Sequence, residues 1–482
     1  MNENRTRKKA ERKRILRNRK RRIAYRLREM SWSPQDRPML AASNIRYELA
    51  DKARGMSAGG IGAMHLLARW TGLIEAIDKD LHLLKVHLPY HESDHVLNLA
   101  YNILCGGTCW QDLELLRNNE SHLDALGAQR IPDPTTAGDF CRRFDEVDVE
   151  LLQMAINDAR VRVWKQQPAA FFEEAILDAD GSLAETLGEC KQGMDISYQG
   201  EWGYHPLIVS LANTQEPLVV VNRPGNRPSH EGAAERFDQG IELCLGAGFQ
   251  KVLLRGDTDF TQTGELDRWD AQPRVRFLFG IDAMPKLVEQ AKNLPEKAWT
   301  PLERPAPYTV STEPRAKPEN VKERIVRARE FENIRLRSEQ VAEFEYQPGK
   351  CRKSYRLVAV RKNLSREKGD EVLFDDIRYF FYLTNERKLP SDEIVYSAND
   401  RCNQENLIEQ LKNGVRAMSM PVDNLVSNWA YMVMASLAWT LKAWFVPARR
   451  DCCRRRAAGP RSIANRSKPY CGWSSRGSST PS

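Results

Sequence analysis

The sequence predicts a mixed α/β core that follows an all-helical N-terminal region. Apolar residues recur at three-to-four spacing from about residue 58 to 167, as they do on one face of a helix. After residue 171 the period changes to short apolar runs bounded by turn residues, and several of these predicted strands end in acids. Strands interspersed with an amphipathic helix are typical of an α/β fold.

Positive charge is concentrated at the two ends of the chain. The 482 residues carry a formal net charge of +8, with 14 Lys/Arg against 3 acids in residues 1–30 and 9 against 1 in residues 447–482. The intervening residues are therefore net acidic. Basic ends on an acidic body favour arms that neutralise DNA phosphates, because each phosphate contact releases counterions.

Three features argue against secretion and membrane insertion. The N-terminus lacks the apolar stretch of a signal peptide, and the ten cysteines contain no Cys-x-x-Cys pair, which favours reduced thiols. The apolar run from Trp429 to Phe445 is interrupted by polar residues, so it predicts a buried helix rather than a membrane span. We therefore expect a cytoplasmic protein that does not associate with membranes.

The changes of pattern divide the chain into six segments. They are a basic arm at 1–30, a helical DNA-binding domain at 31–170, the first part of the α/β core at 171–284, a β-rich insertion at 285–390, a helix with a following apolar core helix at 391–446, and a basic tail at 447–482 that we expect to be disordered. A Pro-Gly turn at 348–349 predicts a hairpin within the insertion.

Acidic residues at the predicted strand ends suggest metal-dependent phosphodiester chemistry. Two divalent ions held by carboxylates can activate an oxygen nucleophile and neutralise the leaving oxygen. Asp178 and Asp180 lie two apart on one predicted strand, so both face the same side, and Asp257 and Asp259 are expected to repeat this geometry on another. Glu405 lies in the first turns of a predicted helix. Three acids among 65 are a weak signal by themselves, since most strand-end acids are solvated or cap turns.

The predicted helix that carries Glu405 gives a stronger signal. We expect it to be capped by Asn399 or Asp400 and to end at Gly414. On such a helix Arg401, Glu405, Ile408 and Lys412 form one stripe. The stripe is either a surface salt-bridge ladder or a metal ligand flanked by two phosphate-binding cations.

Several motifs in the same order resemble those of cut-and-paste DDE insertion-sequence transposases. The spacing of Arg401, Glu405 and Lys412 reproduces the Tyr-Arg-Glu-Lys signature of that family. LDADGS at 177–182 is similar to the strand with the first Asp, and LLRGDTDF at 253–260 is similar to the motif of the second Asp. GYHPL and RPGNRPSHEGAAE resemble the two intervening strands and the turn after them. The resemblance spans roughly residues 60–446.

This resemblance implies a ribonuclease-H-like catalytic core, interrupted by a β-rich insertion and preceded by an all-helical N-terminal domain. It implies that two Mg²⁺ or Mn²⁺ ions are bound by Asp180, Asp257 and Glu405. Asp178 is the alternative first ligand. Asp180 is preferred because it directly precedes the Gly-Ser step of the motif. By the same resemblance, Arg401 and Lys412 bind DNA phosphates.

The implied activity is strand cleavage at the ends of a mobile element, followed by strand transfer into target DNA. The implied partner is double-stranded DNA, as terminal inverted repeats and as target, and the resemblance implies a homodimer in the synaptic complex of a bacterial cell. The competing hypothesis is a catalytically impaired or truncated transposase that only binds terminal repeats.

The sequence departs from the family pattern at three places. Ala398 stands at the tyrosine position of the signature, and Asp259 stands where the second-Asp motif usually has glycine. After Val446 the chain loses its aliphatic residues and its periodicity, and we hypothesise that a frameshift produced this tail.

Overall fold

The computed structural model describes residues 59–87, 89–186, 190–304, 321–368 and 371–456, together with positions 14, 17, 36, 38–40 and 188. The expected basic arm at 1–30, apart from positions 14 and 17, and the last part of the tail, 457–482, lie outside the described residues.

Helices occupy the first described region, as the three-to-four spacing predicts. The helical run near its start is divided in two, because Gly72 adopts a φ of 68° between α1 and α2. Glycine is required at this position, since a Cβ there would lie 1.8 Å from the Arg162 guanidinium. The helix that begins at Pro134 is capped by Asp133, whose carboxylate accepts a hydrogen bond from the Thr136 amide. The helices are α1 (Ile61–Trp70), α2 (Leu73–Asp80), α3 (Glu92–Leu104), α4 (Asp112–Arg117), α5 (Glu120–Leu126), α6 (Pro134–Cys141) and α7 (Glu146–Trp164).

Strands begin where the period of the sequence changes. The elements from residue 173 to 304 are β1 (Ala175–Gly181), β2 (Ala184–Glu185), β3 (Asp195–Ile196), β4 (Trp202–Tyr204), β5 (Leu207–Leu211), β6 (Glu216–Val221), α8 (Ala233–Ala247), β7 (Val252–Gly256), α9 (Leu266–Asp270), β8 (Val275–Ile281), α10 (Pro285–Lys292) and β9 (Thr300–Pro301). Five of the apolar runs that the sequence shows in this region form the strands β1, β5, β6, β7 and β8, as predicted.

Three long strands and four helices make up most of the rest of the described chain. They are α11 (Val321–Ala328), β10 (Glu332–Tyr346), β11 (Tyr355–Lys368), β12 (Glu371–Thr384), α12 (Ser391–Asn399), α13 (Cys402–Glu409) and α14 (Leu425–Arg456). The hairpin with the Pro-Gly turn is confirmed, since β10 and β11 pair in antiparallel register from Glu332↔Lys368 to Tyr346↔Tyr355.

These elements form two compact units that interleave along the chain. The first comprises Met1–Phe172, Gly181–Pro228 and Glu405–Ser482, and the second comprises Glu173–Asp180 and Ser229–Gln404. The boundaries of these units differ from those of the six expected segments, because long-range pairing rather than sequence proximity determines which residues pack together.

The core of the first unit forms where α14 packs against α3, α7 and β6. Its buried side chains include Trp429, Leu437 and Trp444, which confirms the expected buried apolar helix. Glu216 is also buried there, and its carboxylate accepts hydrogen bonds from Arg160 Nε at 2.9 Å, Trp164 Nε1 at 3.1 Å and Trp444 Nε1 at 2.7 Å. A buried charge with this many donors is compensated.

Helix α14 continues past Val446 to Arg456. The expectation that the whole tail from 447 is disordered is therefore wrong for residues 447–456. Arginine, which supplies five of these ten residues, is a good helix former and can extend an existing helix. Within the part of the chain that the structure describes, α14 included, no helix combines the length and apolarity that crossing a bilayer requires.

A partly buried carboxylate in the first unit provides a test by pH. Asp78 accepts hydrogen bonds from the amide and the hydroxyl of Ser93, each at 2.9 Å. Burial raises the pKa of Asp78 from 3.8 to about 6, against the lowering effect of these hydrogen bonds and of nearby His91. Because the folded protein disfavours the ionised form, the contribution of this group to stability is full below pH 4 and is lost as the pH rises through 6.

Asp78→Asn should therefore melt at nearly the wild-type temperature at pH 4 and about 6–12 °C higher at pH 8. The raised pKa corresponds to ~3 kcal/mol, and ~1 kcal/mol moves the melting temperature by about 2–4 °C in a unit of this size. Thermal unfolding across this pH range measures the difference. Asp124→Asn, at an exposed site on α5, is the control. A difference between Asp78→Asn and wild type that does not vary with pH would contradict the expectation.

The second unit is built on a sheet whose strands, within the described residues, follow the order β1-β7-β8-β12-β11-β10-β9. The first three pair in parallel and the others in antiparallel register. The expected β-rich insertion is therefore joined to the core sheet, because β12 pairs with β8 from Phe381↔Ile281 to Thr384↔Leu278. Ile394 and Val395 of α12 pack on this sheet against residues such as Leu253.

A candidate active site at the ends of two parallel strands

The candidate site begins with the alternation of side chains along β1. Ala175, Leu177 and Ala179 are buried on one face of the strand, and Asp178 and Asp180 lie on the other. Asp178 is 1% exposed, whereas the side chain of Asp180 is 16% exposed. Two acids of the same strand therefore have different environments, one closed and one accessible.

Asp178 is paired with a buried arginine of the neighbouring strand. The parallel register places Arg255 of β7 opposite Asp178, and the guanidinium donates two hydrogen bonds, Nε to Oδ1 at 2.7 Å and Nη2 to Oδ2 at 2.8 Å. Arg255 Nη1 also donates to the carbonyl of Ser397 in α12 at 2.6 Å. Burial raises the pKa of Asp178, and the Arg255 guanidinium opposes that shift. The pair joins β1, β7 and α12.

Asp257 lies one residue beyond the end of β7. It caps a short 3₁₀ turn, Thr258–Phe260, and its carboxylate accepts a hydrogen bond from the Asp259 amide at 3.0 Å. The turn packs tightly, since a Cβ on Gly256 would lie 2.5 Å from Cβ of Phe260. The expectation that Asp257 and Asp259 share one face of a strand is wrong, because the chain turns directly after Gly256 and leaves Asp259 exposed.

Arg401 lies between the two accessible carboxylates. Its Nη1 is 3.2 Å from Oδ2 of Asp180, and its Nη2 is 3.5 Å from Oδ2 of Asp257. Burial lowers the pKa of Arg401, but the surrounding carboxylates outweigh this and raise it above its ordinary value. Burial also raises the pKa of Asp257, with Arg401 opposing the shift and the charge of Asp259 adding to it. The guanidinium thus bridges the ends of β1 and β7.

The expected helical stripe is interrupted at both ends. Arg401 lies in the turn between α12 and α13, and Lys412 lies in a π-helical segment, Gln410–Gly414, that follows α13. The prediction of one regular helix capped at Asn399 or Asp400 is therefore wrong, because residues 391–399 form a helix of their own. Glu405 is exposed in the first turn of α13, and a π-helical turn is frequently found at functional sites.

The sequence-predicted ligands are divided between the two units. Asp178, Asp180, Asp257 and Arg401 belong to the second unit, and Glu405 belongs, like Lys412, to the first. Among the described residues, no three His, Cys, Asp or Glu side chains lie close enough together to bind one metal ion. The convergence of all three predicted acids on shared ions therefore stays a prediction.

The residues near the missing signature tyrosine are structural. Ala398 is partly buried and packs against the core of the second unit. The hydroxyl of Tyr396 donates to the carbonyl of Glu303. Neither side chain is among the contacts of Arg401 with Asp180 and Asp257.

Arg255 is the residue that sequence reasoning missed. The sequence contained a signal for the role of Arg255, because a charged residue within the apolar run of β7 needs a buried partner. Asp178, in an equally apolar strand, is that partner. The same contact explains why only one acid of the Asp-Ala-Asp sequence remains available.

The cation that Asp180 and Asp257 contact in the second unit is the Arg401 guanidinium. Two carboxylates from adjacent strand ends share one guanidinium, so both can reach the same positive charge. Carboxylate oxygens are the ligands that Mg²⁺ and Mn²⁺ prefer in proteins. The donor set of Asp180 and Asp257 therefore fits a divalent ion.

A family model described as "Transposase DDE domain group 1" matches residues 43–466 and thus extends past Val446 into the basic tail. A cryo-EM structure of the piggyBac transposase synaptic complex with hairpin DNA matches with 12% identity and a TM-score of 0.29, over 86% of this chain and 76% of that one. No curated protein matches the sequence.

Proposed function

Because the chain belongs to the transposase DDE domain group 1 family and is a DNA transposase, we propose that it cuts the ends of its mobile element with Asp180, Asp257 and Glu405 as metal ligands. The freed DNA ends are then joined to target DNA by transesterification. The observation that carries the proposed site is the Arg401 guanidinium, which lies 3.2 Å from Asp180 and 3.5 Å from Asp257.

The choice of Asp180 over Asp178 follows from their hydrogen bonds. Both carboxylate oxygens of Asp178 accept from Arg255 in a buried pair. Using Asp178 as a ligand would leave the buried Arg255 charge uncompensated, which is costly. Asp180 is partly exposed and lies at the strand end, where DNA and ions have access.

Glu405 is proposed as the third ligand because of its place in the chain. It follows Arg401 by four residues and is exposed in the first turn of α13. The spacing of Arg401, Glu405 and Lys412 supports membership of the branch with the Tyr-Arg-Glu-Lys signature. We assign phosphate binding to Arg401 and Lys412, since a guanidinium and an ammonium both neutralise phosphate oxygens.

Two Mg²⁺ or Mn²⁺ ions would supply charge neutralisation and an activated oxygen nucleophile for the phosphoryl transfer. The contribution of the chain is to fix the carboxylates and to orient the DNA backbone. Strand β1 and the turn after β7 hold Asp180 and Asp257 at adjacent strand ends. The Arg255–Asp178 pair keeps these two strands and α12 in a fixed relation.

Double-stranded DNA is the proposed partner, as terminal inverted repeats and as target. The basic segments at 1–30 and 447–482 support this proposal, since clustered Lys and Arg supply the electrostatic part of DNA binding. We further propose a ribonuclease-H-like core, supported by the parallel strands β1, β7 and β8 and by the antiparallel pair β5–β6 between them in sequence. We also propose that the protein acts as a homodimer in the bacterial nucleoid.

The proposed activity is tested with a DNA duplex that carries the inverted repeat found beside the gene. Purified protein should nick this duplex at the repeat boundary in the presence of Mg²⁺ or Mn²⁺, and a chelator should stop the reaction. A duplex with a scrambled repeat is the control. Specific binding without any cleavage in either metal would instead support a protein that only binds terminal repeats.

A further inference from the structure

We infer that Arg401 occupies the cation position between Asp180 and Asp257 in the DNA-free protein and competes with a divalent ion for these carboxylates. This inference rests on the proposed function of the same site. It assigns to Arg401 a role before DNA is bound, in addition to the phosphate contact proposed above.

The geometry of the bridge supports competition. Each terminal nitrogen of Arg401 faces a different carboxylate, at 3.2 Å for Asp180 and 3.5 Å for Asp257. The side chains of Arg401 and Asp180 are each 16% exposed, and that of Asp257 is 36% exposed. Solvent therefore screens these charges only partly, and the Arg401 guanidinium would repel a divalent ion that approaches the same carboxylates.

The chemistry of arginine determines which response is available. A guanidinium remains protonated at any pH that the protein encounters, so Arg401 cannot relieve the repulsion by losing a proton. Nor is the nearby Asp178 an alternative partner for the Arg401 guanidinium, because both oxygens of Asp178 already accept hydrogen bonds from Arg255. An arriving divalent ion must therefore displace the Arg401 guanidinium from one or both carboxylates.

Displacement links the metal to DNA. A guanidinium released from Asp180 and Asp257 can donate to a DNA phosphate, so each ligand favours the binding of the other. In the wild type, DNA should therefore increase the affinity for the metal by removing its competitor. The binding of the metal and the binding of DNA are thus coupled through the charge of Arg401, without any change in fold.

Arg401→Gln tests the inference through metal binding in the absence of DNA. Free Mn²⁺ in a titration of the purified full-length protein is measured by electron paramagnetic resonance. We expect Arg401→Gln to bind the first Mn²⁺ about tenfold more tightly than the wild type, within the usual range of coupling between two sites. Arg401→Lys, which keeps the charge but not the fork of donors, should give an intermediate affinity.

Arg268→Gln is the matched control for net charge. Arg268 belongs to the same unit and pairs with Asp238 through two hydrogen bonds of 3.0 and 2.9 Å. This control variant should bind Mn²⁺ like the wild type. Unchanged or weaker binding by Arg401→Gln, in a variant with the wild-type melting temperature, would overturn the inference.

The failure of the proposed function would look different. In that case neither the wild type nor Arg401→Gln would bind Mn²⁺, or Asp257→Asn would bind it as well as the wild type does. If Asp257→Asn abolishes binding and Arg401→Gln does not tighten it, only the competition by Arg401 is refuted.

Discussion

Asp257→Asn is expected to slow strand cleavage about a thousandfold while DNA binding is retained. A metal ligand contributes several kcal/mol to transition-state stabilisation, and a loss of ~4 kcal/mol corresponds to about three powers of ten in rate. An amide keeps the size of the carboxylate but binds Mg²⁺ poorly. Single-turnover cleavage of the terminal-repeat duplex measures the rate, and a gel-shift titration measures the binding.

Asp259→Asn is the control for this substitution. Asp259 is exposed in the same 3₁₀ turn and has the same chemistry, but its side chain is not in contact with Arg401. Its cleavage rate should stay within a few-fold of the wild type. Equal losses in Asp257→Asn and Asp259→Asn would show that the charge of the turn, rather than the ligand Asp257, determines the rate.

Arg255→Ala is expected to lower the melting temperature of the protein by about 10 °C. Removing one partner of a buried ion pair leaves an uncompensated charge on Asp178 and costs about 3–5 kcal/mol, and ~1 kcal/mol corresponds to about 2–4 °C in a unit of this size. The Ser397 carbonyl also loses its donor. Differential scanning calorimetry measures the shift.

Two variants distinguish the loss of the Arg255–Asp178 ion pair from a general effect of removing an arginine. Arg268→Ala removes a half-exposed ion pair and should cost about 0–1 kcal/mol. The double variant Asp178→Leu/Arg255→Leu should recover much of the loss, since apolar residues can replace a buried pair. If Arg255→Ala melts like the wild type, the pair does not stabilise the sheet as described.

The regular elements were predictable because their signals are local. Apolar runs bounded by turn residues identified β1 and β7, and spacing identified the helical segments that contain α1, α2, α3 and α7. The alternation of side chains along β1 was enough to place Asp178 and Asp180 on one face. These patterns arise from the periods of helix and strand and need no knowledge of distant partners.

The other features depend on contacts between residues that are far apart in the sequence. The pairing of Asp178 with Arg255 requires the parallel register of β1 and β7. The division of the expected helix near Arg401 and the π-helical segment with Lys412 also override a regular local pattern. Asp259 was placed wrongly because a strand period was continued past Gly256, where the chain turns.

The central claim is that Glu405 shares metal ions with Asp180 and Asp257, and one titration tests it most directly. Mn²⁺ binding to the DNA-bound protein is compared between the wild type, Glu405→Gln and Glu409→Gln, a neighbouring exposed site on α13. Loss of a ligand should weaken binding at least about tenfold in Glu405→Gln, since even outer contacts of metal ligands contribute that much. Equal Mn²⁺ affinity and stoichiometry in all three proteins would contradict the claim.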